Sequence, residues 1–474
     1  MIHFLSHVSR AGSRARGIFN REKPVNNRYK LGPVAAHGIL LSAILFASSA
    51  FAQTDPGVQG GAARAGSPLP GLTANEAIFF DVGRGDFNEA EGIADGLGPR
   101  FNLDGCGGCH FQPAAGGSSG TVNPQIAVAT AFGARNTVPA FISLNGPIRE
   151  ARFKRQPNGQ PDGGVHALFT ISQRNDGTGS ASACNIVQDN FAAEAANNNL
   201  IFRIPTPVFG MGLMENITDS ELNRNLSEGA AARAQLGING RLNHNGNDGR
   251  VTRFGWKAQN ISALVFSGEA YNVEMGITNE NFQIERDETQ ACQFAQLPND
   301  VSNTDGATGT DTISAIEKFS FFMRFLAPPT QSTTTPGGNA SIAEGFNAFV
   351  NIGCTHCHTQ QLRTGNTTVA ALRNQNVRLF SDIALHNMGP GLADDIRQGE
   401  ATGDEFRTAP LWGLGQRVFF LHDGRTNNLL TTIQAHRSNA NGTYPASEAN
   451  AVIDRFNTLS ATAKQNMLNF LRSL

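Results

Sequence analysis

Two short stretches of this chain carry residue types suited to redox chemistry. Cys106-Gly-Gly-Cys109-His110 and Cys354-Thr-His-Cys357-His358 each place two thiols two residues apart, with an imidazole directly after the second. Thiols at this spacing can add to the two vinyl groups of a haem. The following histidine is then drawn under the iron as its proximal ligand. A zinc knuckle would want four ligands from paired Cys-x-x-Cys units, and a redox dithiol needs no following histidine. The pattern therefore predicts two covalently bound haems c, attached through Cys106, Cys109, Cys354 and Cys357, with His110 and His358 as iron ligands. The glycines around the first motif are expected to let the backbone lie close against the porphyrin.

Each motif needs elements to hold it. Residues 341–350 have helical periodicity, with Ser341 as the expected N-cap, and lead into Cys354. Residues 459–474 carry Ala463, Met467, Phe470 and Leu471 at helical spacing. Gly345 and Phe349 are expected to meet Phe470, as in a cytochrome c domain. Residues 311–326 read as a helix that ends the first half, stopped by Pro328-Pro329. A phrase also recurs: Arg203-Ile-Pro-Thr-Pro207 through Gly212 echoes Arg407-Thr-Ala-Pro410 through Gly415. An arginine near a haem commonly serves a propionate carboxylate, so Arg203 and Arg407 are candidate haem-binding residues. The stretch between His110 and Asp311 is Gly/Asn-rich, with short apolar runs at residues 141–144 and 166–171. It reads as a large irregular insertion with short strands that covers the first haem.

The expected fold is mainly α: two cytochrome c-like domains, the first with that insertion. The expected boundaries are a signal peptide at 1–52, a flexible linker at 53–72, and an N-terminal haem domain at 73–327. A linker at 328–341 and a C-terminal cytochrome c domain at 342–474 follow. The signal reading rests on a basic lead (Arg10 to Lys30), an apolar stretch over residues 38–51 and Ala50-Phe51-Ala52 before Gln53. An uncleaved anchor is the alternative reading of that stretch. Cleavage implies a periplasmic or secreted protein with no stable membrane insertion. It would change the net charge from −2 to −8, which argues against nucleic acid and favours a basic protein partner. Cys184 and Cys292 are left over, and in an exported protein such a pair is expected to form a disulfide.

Taken in order, "GLGPRFNLDGCGGCHFQPAAGG", "PTPVFGMGLME", "RFGWKA", "ALHNMGPGLAD", "FRTAPLWGLG" and "FLHDGR" resemble the di-haem oxidoreductase family. That family is described in terms of peroxidase activity and is related to bacterial di-haem cytochrome c peroxidases. The resemblance covers nearly all of residues 75–474. It implies that the N-terminal haem meets hydrogen peroxide and that the C-terminal haem relays electrons from a small redox protein or other donor. In the relatives a His-Asp-Gly phrase precedes a helix bearing the sixth ligand of the C-terminal haem, usually Met. Here His422-Asp-Gly is followed fourteen residues on by His436, with His386 and Met388 as competing ligands. The relatives' Trp between the haems and their proton-moving Glu correspond to Trp256 and to Glu274 in "NVEMG". Calcium (Ca2+) is a further cofactor considered alongside the two haems.

Two departures bear on mechanism. The relatives' Gln before that Glu is absent, with Leu264 and Val265 in the space. Their switchable His has no match, because the first histidine after His110 is His166. The N-terminal iron is then either open on its distal side or held by His166. Two other readings stay in play: a di-haem electron-transfer cytochrome without catalysis, and a dioxygen-using di-haem oxygenase.

Overall fold

The computed structural model describes residues 53–60, 64–334 and 337–474. The expected signal peptide lies outside the described residues. The elements that frame the two motifs are, in chain order, helix α1 (Ala74–Asn88), strands β1 (Glu150–Phe153), β2 (Val165–His166) and β3 (Leu200–Arg203), and helices α2 (Ala263–Met275), α3 (Ala315–Phe325) and α4 (Gly338–Ile352). Strands β4 (Leu385–Asn387) and β5 (Glu405–Arg407) follow, then helices α5 (Leu429–Ala435), α6 (Asn450–Thr458) and α7 (Ala461–Ser473).

The helix before each motif packs in the same way. α1 is started by a reciprocal cap: the Thr73 hydroxyl accepts the Glu76 N–H while the Glu76 carboxylate accepts the Thr73 N–H. Its buried stripe is Phe80, Gly83 and Phe87, and α3 lies across it. A Cβ on Gly83 would stand 2.9 Å from the Lys318 carbonyl carbon and closer still to its oxygen. Only glycine lets the two backbones touch there. The Phe87 and Phe322 rings then stack at 4.8 Å, and Phe87 lies 6.0 Å from the His110 ring. α4 and α7 repeat this crossing. A Cβ on Gly345 would come within 2.7 Å of Phe470 Cβ, Phe349 packs on Phe470 at 5.5 Å, and Phe349 is 6.1 Å from His358. The expected meeting of Gly345 and Phe349 with Phe470 is thus present. Ser341, however, is not the N-cap. α4 begins at Gly338 after Gly337 in a left-handed conformation, and the Ser341 hydroxyl instead donates to Asn466 Oδ1 across the helix pair (2.7 Å).

The repeated phrase follows the same logic. Gly212 abuts the backbone of Arg324 at the end of α3, and Gly415 abuts that of Arg472 at the end of α7. The two phrases also face each other, with Gly210 against the Trp412 ring and Gly413 against Phe209. One apolar core therefore runs from α1, α2 and α3 into Leu362, Leu379, Ile383 and Trp412 of the second half. The described residues form one compact unit.

The architecture is mixed rather than mainly helical. The antiparallel order β2-β1-β3 makes a three-stranded sheet, β4 pairs with β5, and three further two-stranded ladders complete the set. The physical reason lies in the insertion, whose buried backbone is satisfied by side-chain amides instead of regular ladders. Asn136 bonds both the N–H and the C=O of Thr170 (2.9 Å each), and Asn123 and Gln125 bond the Pro147 and Arg149 carbonyls. The apolar run at residues 141–144 forms no strand, and the run at 166–171 is split between β2 and a separate pairing of Phe169–Thr170 with Arg100–Phe101. Cys184 and Cys292 are disulfide-bonded across a separation of 108 residues. Among the described residues no helix is long and apolar enough to cross a membrane.

Candidate functional site

Each Cys-x-x-Cys-His motif opens onto its own largely apolar cavity. His110 and His358 line these cavities in the same manner. His110 Nδ1 is 2.9 Å from the Gly117 carbonyl and His358 Nδ1 is 2.9 Å from the Phe380 carbonyl. A carbonyl only accepts, so both Nδ1 atoms carry the proton and both Nε2 atoms keep a free lone pair. Burial lowers both imidazoles, His358 to about 4, which keeps them neutral and able to ligate. None of the four motif cysteines is in a disulfide. Burial pushes Cys106 and Cys354 up to about 12, the opposite of what a redox dithiol needs. Among the described residues no group of three or more His, Cys, Asp or Glu side chains is arranged to hold a metal ion.

The glycines of the first motif serve the protein more than the cavity. A Cβ on Gly107 would fall 2.6 Å from Asn88 Oδ1, and one on Gly108 would overlap the Leu103 side chain. They let the motif pack against the end of α1 and against Leu103.

The other residues that line the two cavities differ. In the second cavity His436 caps the end of α5, its Nδ1 donating to the Thr432 carbonyl (2.8 Å). Its Nε2 is therefore also free, burial keeps it neutral, and it lines the cavity with His358. His386 is not available as a ligand. Its Nδ1 is 2.7 Å from Glu448 and its Nε2 3.0 Å from Asp382. Burial opposes its charge, but the Cys357 sulfur and the Asp382 carboxylate raise it well above its ordinary value. Met388 lines the same cavity.

Two arginines mark where acidic groups belong in this cavity. Arg407 lends its Nε to the Gly255 carbonyl (2.9 Å), and burial, with Arg417 beside it, pushes it down to about 10. Burial alone pushes Arg417 to about 10, and its Nε and Nη2 have no partner. Buried guanidinium groups without a carboxylate are costly. Arg417 was not singled out from sequence, since nothing in its spacing distinguishes it from a surface arginine.

The first cavity has a carboxyl pair instead of a second histidine. Glu274, at the end of α2, accepts a bond from Asn102 Nδ2 (2.7 Å), and Asn102 is itself oriented by the Leu168 N–H on its Oδ1 (2.8 Å). Glu150 on β1 lines the same cavity and is held by Arg152 Nε at 2.5 Å. Burial and the Glu150 charge raise Glu274 well above the carboxylate range. Glu150 resists burial and stays low through Arg152 and the hydrogen bond from Glu274. The two carboxyls are thus pulled apart, Glu274 toward the protonated form and Glu150 toward the ionised one. Glu150 was missed from sequence; the alternation of charged and apolar residues in "REARF" was the available signal. Gln259 also lines this cavity.

His166 does not reach the first cavity. It stacks on Phe153 at 3.6 Å, with its nitrogens on Asp189 (2.8 Å) and Asp162 (3.1 Å), so it is not the distal ligand. Arg203 lines the cavity, but two of its nitrogens are taken by Asp394 (2.7 Å) and Gln398 (2.5 Å), leaving only Nε unpartnered. Asp394 also holds the fully buried Lys257 at 3.1 Å. Trp256 stands in the wall common to both cavities, its Nε1 donating to the Ile204 carbonyl (3.0 Å) and Arg417 over its ring at 5.7 Å.

The family model described as "Di-haem oxidoreductase, putative peroxidase" matches residues 154–474. The chain belongs to the di-haem oxidoreductase family. Comparison with curated protein sequences gives no significant match. Among solved structures, hydrazine synthase of Kuenenia stuttgartiensis, pressurized with 20 bar xenon, is similar over 35% of this chain and 56% of that chain. The identity is 15% and the TM-score 0.22; the chain spans little more than half of that neighbour, and no argument rests on it.

The residues present fit the two haems of a di-haem oxidoreductase. Each cavity has a thiol pair and a neutral imidazole at its mouth, and the second holds guanidinium nitrogens that lack an acidic partner.

Proposed function

We propose that this di-haem oxidoreductase is an exported c-type protein that reduces hydrogen peroxide at the first cavity, with electrons relayed through the second from an external donor. Cys106 and Cys109 would hold one haem, with His110 as an iron ligand; Cys354 and Cys357 would hold the other, with His358 and His436 as its candidate iron ligands. Arg407 and Arg417 would take carboxylates of the second haem. Bound haem supplies an iron that can pass electrons to an oxygen substrate. The two cytochrome c-like halves of this reading are supported by the repeated glycine–phenylalanine helix crossing.

The observation that carries the proposal is the unlike lining of the two cavities. A second neutral imidazole shares one cavity with His358, which suits electron relay. A carboxyl pair pulled toward opposite protonation states shares the other with His110, which suits acid–base work on a small oxygen substrate. Glu274 holds the proton to be delivered; Glu150 is kept ionised by Arg152. Asn102 aims the Glu274 carboxyl. Trp256, in the common wall, offers the aromatic path between the two sites.

The test joins spectroscopy and turnover. The as-isolated protein should show one high-spin and one low-spin ferric haem, and only the former should bind carbon monoxide after reduction. Glu274→Gln should keep both haems and slow peroxide-dependent donor oxidation by roughly a hundredfold or more, the scale for losing a positioned acid–base group. Two low-spin haems inert to peroxide and carbon monoxide would replace this reading with an electron carrier. A high-spin haem that ignores peroxide but consumes dioxygen would replace it with an oxygenase.

A further inference from the structure

The first described residues lie far from their sequence neighbours' helix. Residues 53–59 run across the second half of the chain, where the Thr54 N–H and C=O bond the Gln465 amide (2.8 and 2.9 Å) and the Gln59 N–H bonds the Gly415 carbonyl (2.8 Å). Between them Asp55 is nearly enclosed, its side chain 6% exposed. Its carboxylate accepts from Arg472 Nε and Nη2 (2.7 and 2.8 Å), from the Gly57 N–H (2.9 Å), and from the Leu429 N–H (2.6 Å). Leu429 is the first residue of α5, the helix that ends at His436. Arg472 is on α7 and also donates to the Arg417 carbonyl (3.0 Å).

α5 is held at its far end by the Ser447 hydroxyl on the His436 carbonyl (2.6 Å), and Leu430 and Ile433 pack on the second-half core; Asp55 supplies the anchor from outside the helix at its first residue. A helix of 7 residues is marginal alone, and Leu429 is its only fully buried residue. Asp55 therefore ties the start of α5 to α7 and, through Arg472, to the Arg417 carbonyl.

We propose that Asp55 is a positioning residue for His436: the 53–59 strap anchors α5 at Leu429 and so keeps the imidazole at the end of that helix in the second cavity. This rests on the reading of His436 as a haem ligand.

The test uses the haem-loaded protein. Asp55→Asn leaves Arg472 buried without a counter-charge and can misfold for that reason alone. The informative variant is the double change Asp55→Ala with Arg472→Met, which cuts the tie to Leu429 and leaves no orphan charge. His436→Ala is the reference, and haem content with the high-spin signal of the first haem is the folding control. The double variant should shift His436 from bound to unbound by roughly tenfold or more, the scale of a lost charge-assisted hydrogen bond. This reads as a loss of low-spin signal that added imidazole restores. A low-spin signal unchanged in the double variant but lost in His436→Ala would overturn the strap alone. A signal unchanged in His436→Ala would overturn the ligand assignment and the strap with it.

Discussion

Two neighbouring glycines of α1 separate helix propensity from helix packing. Gly85 is exposed, and a Cβ built there meets nothing within 4 Å. Gly83, two residues earlier, is buried against the Lys318 backbone of α3. Alanine is preferred over glycine inside a helix by about 0.8–1 kcal/mol, so Gly85→Ala should stabilise the haem-loaded protein by nearly that much. Gly83→Ala gains the same propensity but inserts a methyl group where the obstacle is rigid backbone. Overpacking costs about 1–3 kcal/mol, and a backbone obstacle with no rotamer to yield belongs at the upper end, for a net loss of about 2 kcal/mol. Separating α1 from α3 also moves Phe87, which touches His110, so the visible spectrum of the first haem should change in Gly83→Ala and not in Gly85→Ala. Guanidinium chloride denaturation reads the energies. Equal stabilities for the two variants would refute the claim that backbone contact at Gly83 sets this crossing.

Three further outcomes follow from the same geometry. Arg417→Leu removes a positive charge beside the second haem, which should favour its oxidised form and lower its potential, measurable by spectroelectrochemistry. Cys184→Ser opens a covalent loop of 108 residues; on the chain-entropy model this costs about 4–5 kcal/mol, and chemical denaturation of the oxidised and variant proteins measures it. The alkaline limb of peroxide turnover should lie well above the range of an ordinary carboxyl, because burial and Glu150 raise Glu274. A raised carboxyl keeps its proton below its folded value and loses it as pH rises through that value, so activity falls on that side. Glu150→Gln should bring this limb to lower pH, seen in the pH dependence of kcat/KM.

What could be read in the sequence was what depends on near neighbours. The Cys-x-x-Cys-His motifs are five residues long, and their reading as haem-attachment sites rests on spacing alone. The meeting of Gly345 and Phe349 with Phe470 follows from helical periods on both sides. The matching trio Gly83, Phe87 and Phe322 was overlooked, because α1 interleaves its apolar stripe with Arg84, Asp86 and Asn88 and reads as a weak amphipath. The insertion was illegible for a different reason: its backbone is satisfied by Asn and Gln side chains far along the chain, which leave no period. The importance of Glu150 and Arg417 comes from burial beside a cavity, and burial is not a property of either residue's local sequence. His386 could be set aside only once Glu448, 62 residues away, was seen on its Nδ1.

The repeated scaffold sharpens the meaning of these non-repeated residues. Both halves cross two helices at a glycine, set a phenylalanine beside the proximal imidazole, and bond that imidazole's Nδ1 to a backbone carbonyl. Around the two motif histidines, then, the sites are near copies, and what distinguishes them is the rest of the lining: Glu274 on α2 and Glu150 on β1 at the first cavity, His436 after α5 at the second. A pure relay would be served by the same lining twice. Here a neutral imidazole stands at one site and a carboxyl pair pulled toward opposite protonation states at the other, with Trp256 in the wall common to both. That asymmetry, on a symmetric frame, is the physical basis for the proposal that electrons enter at the second half and proton-coupled chemistry runs at the first.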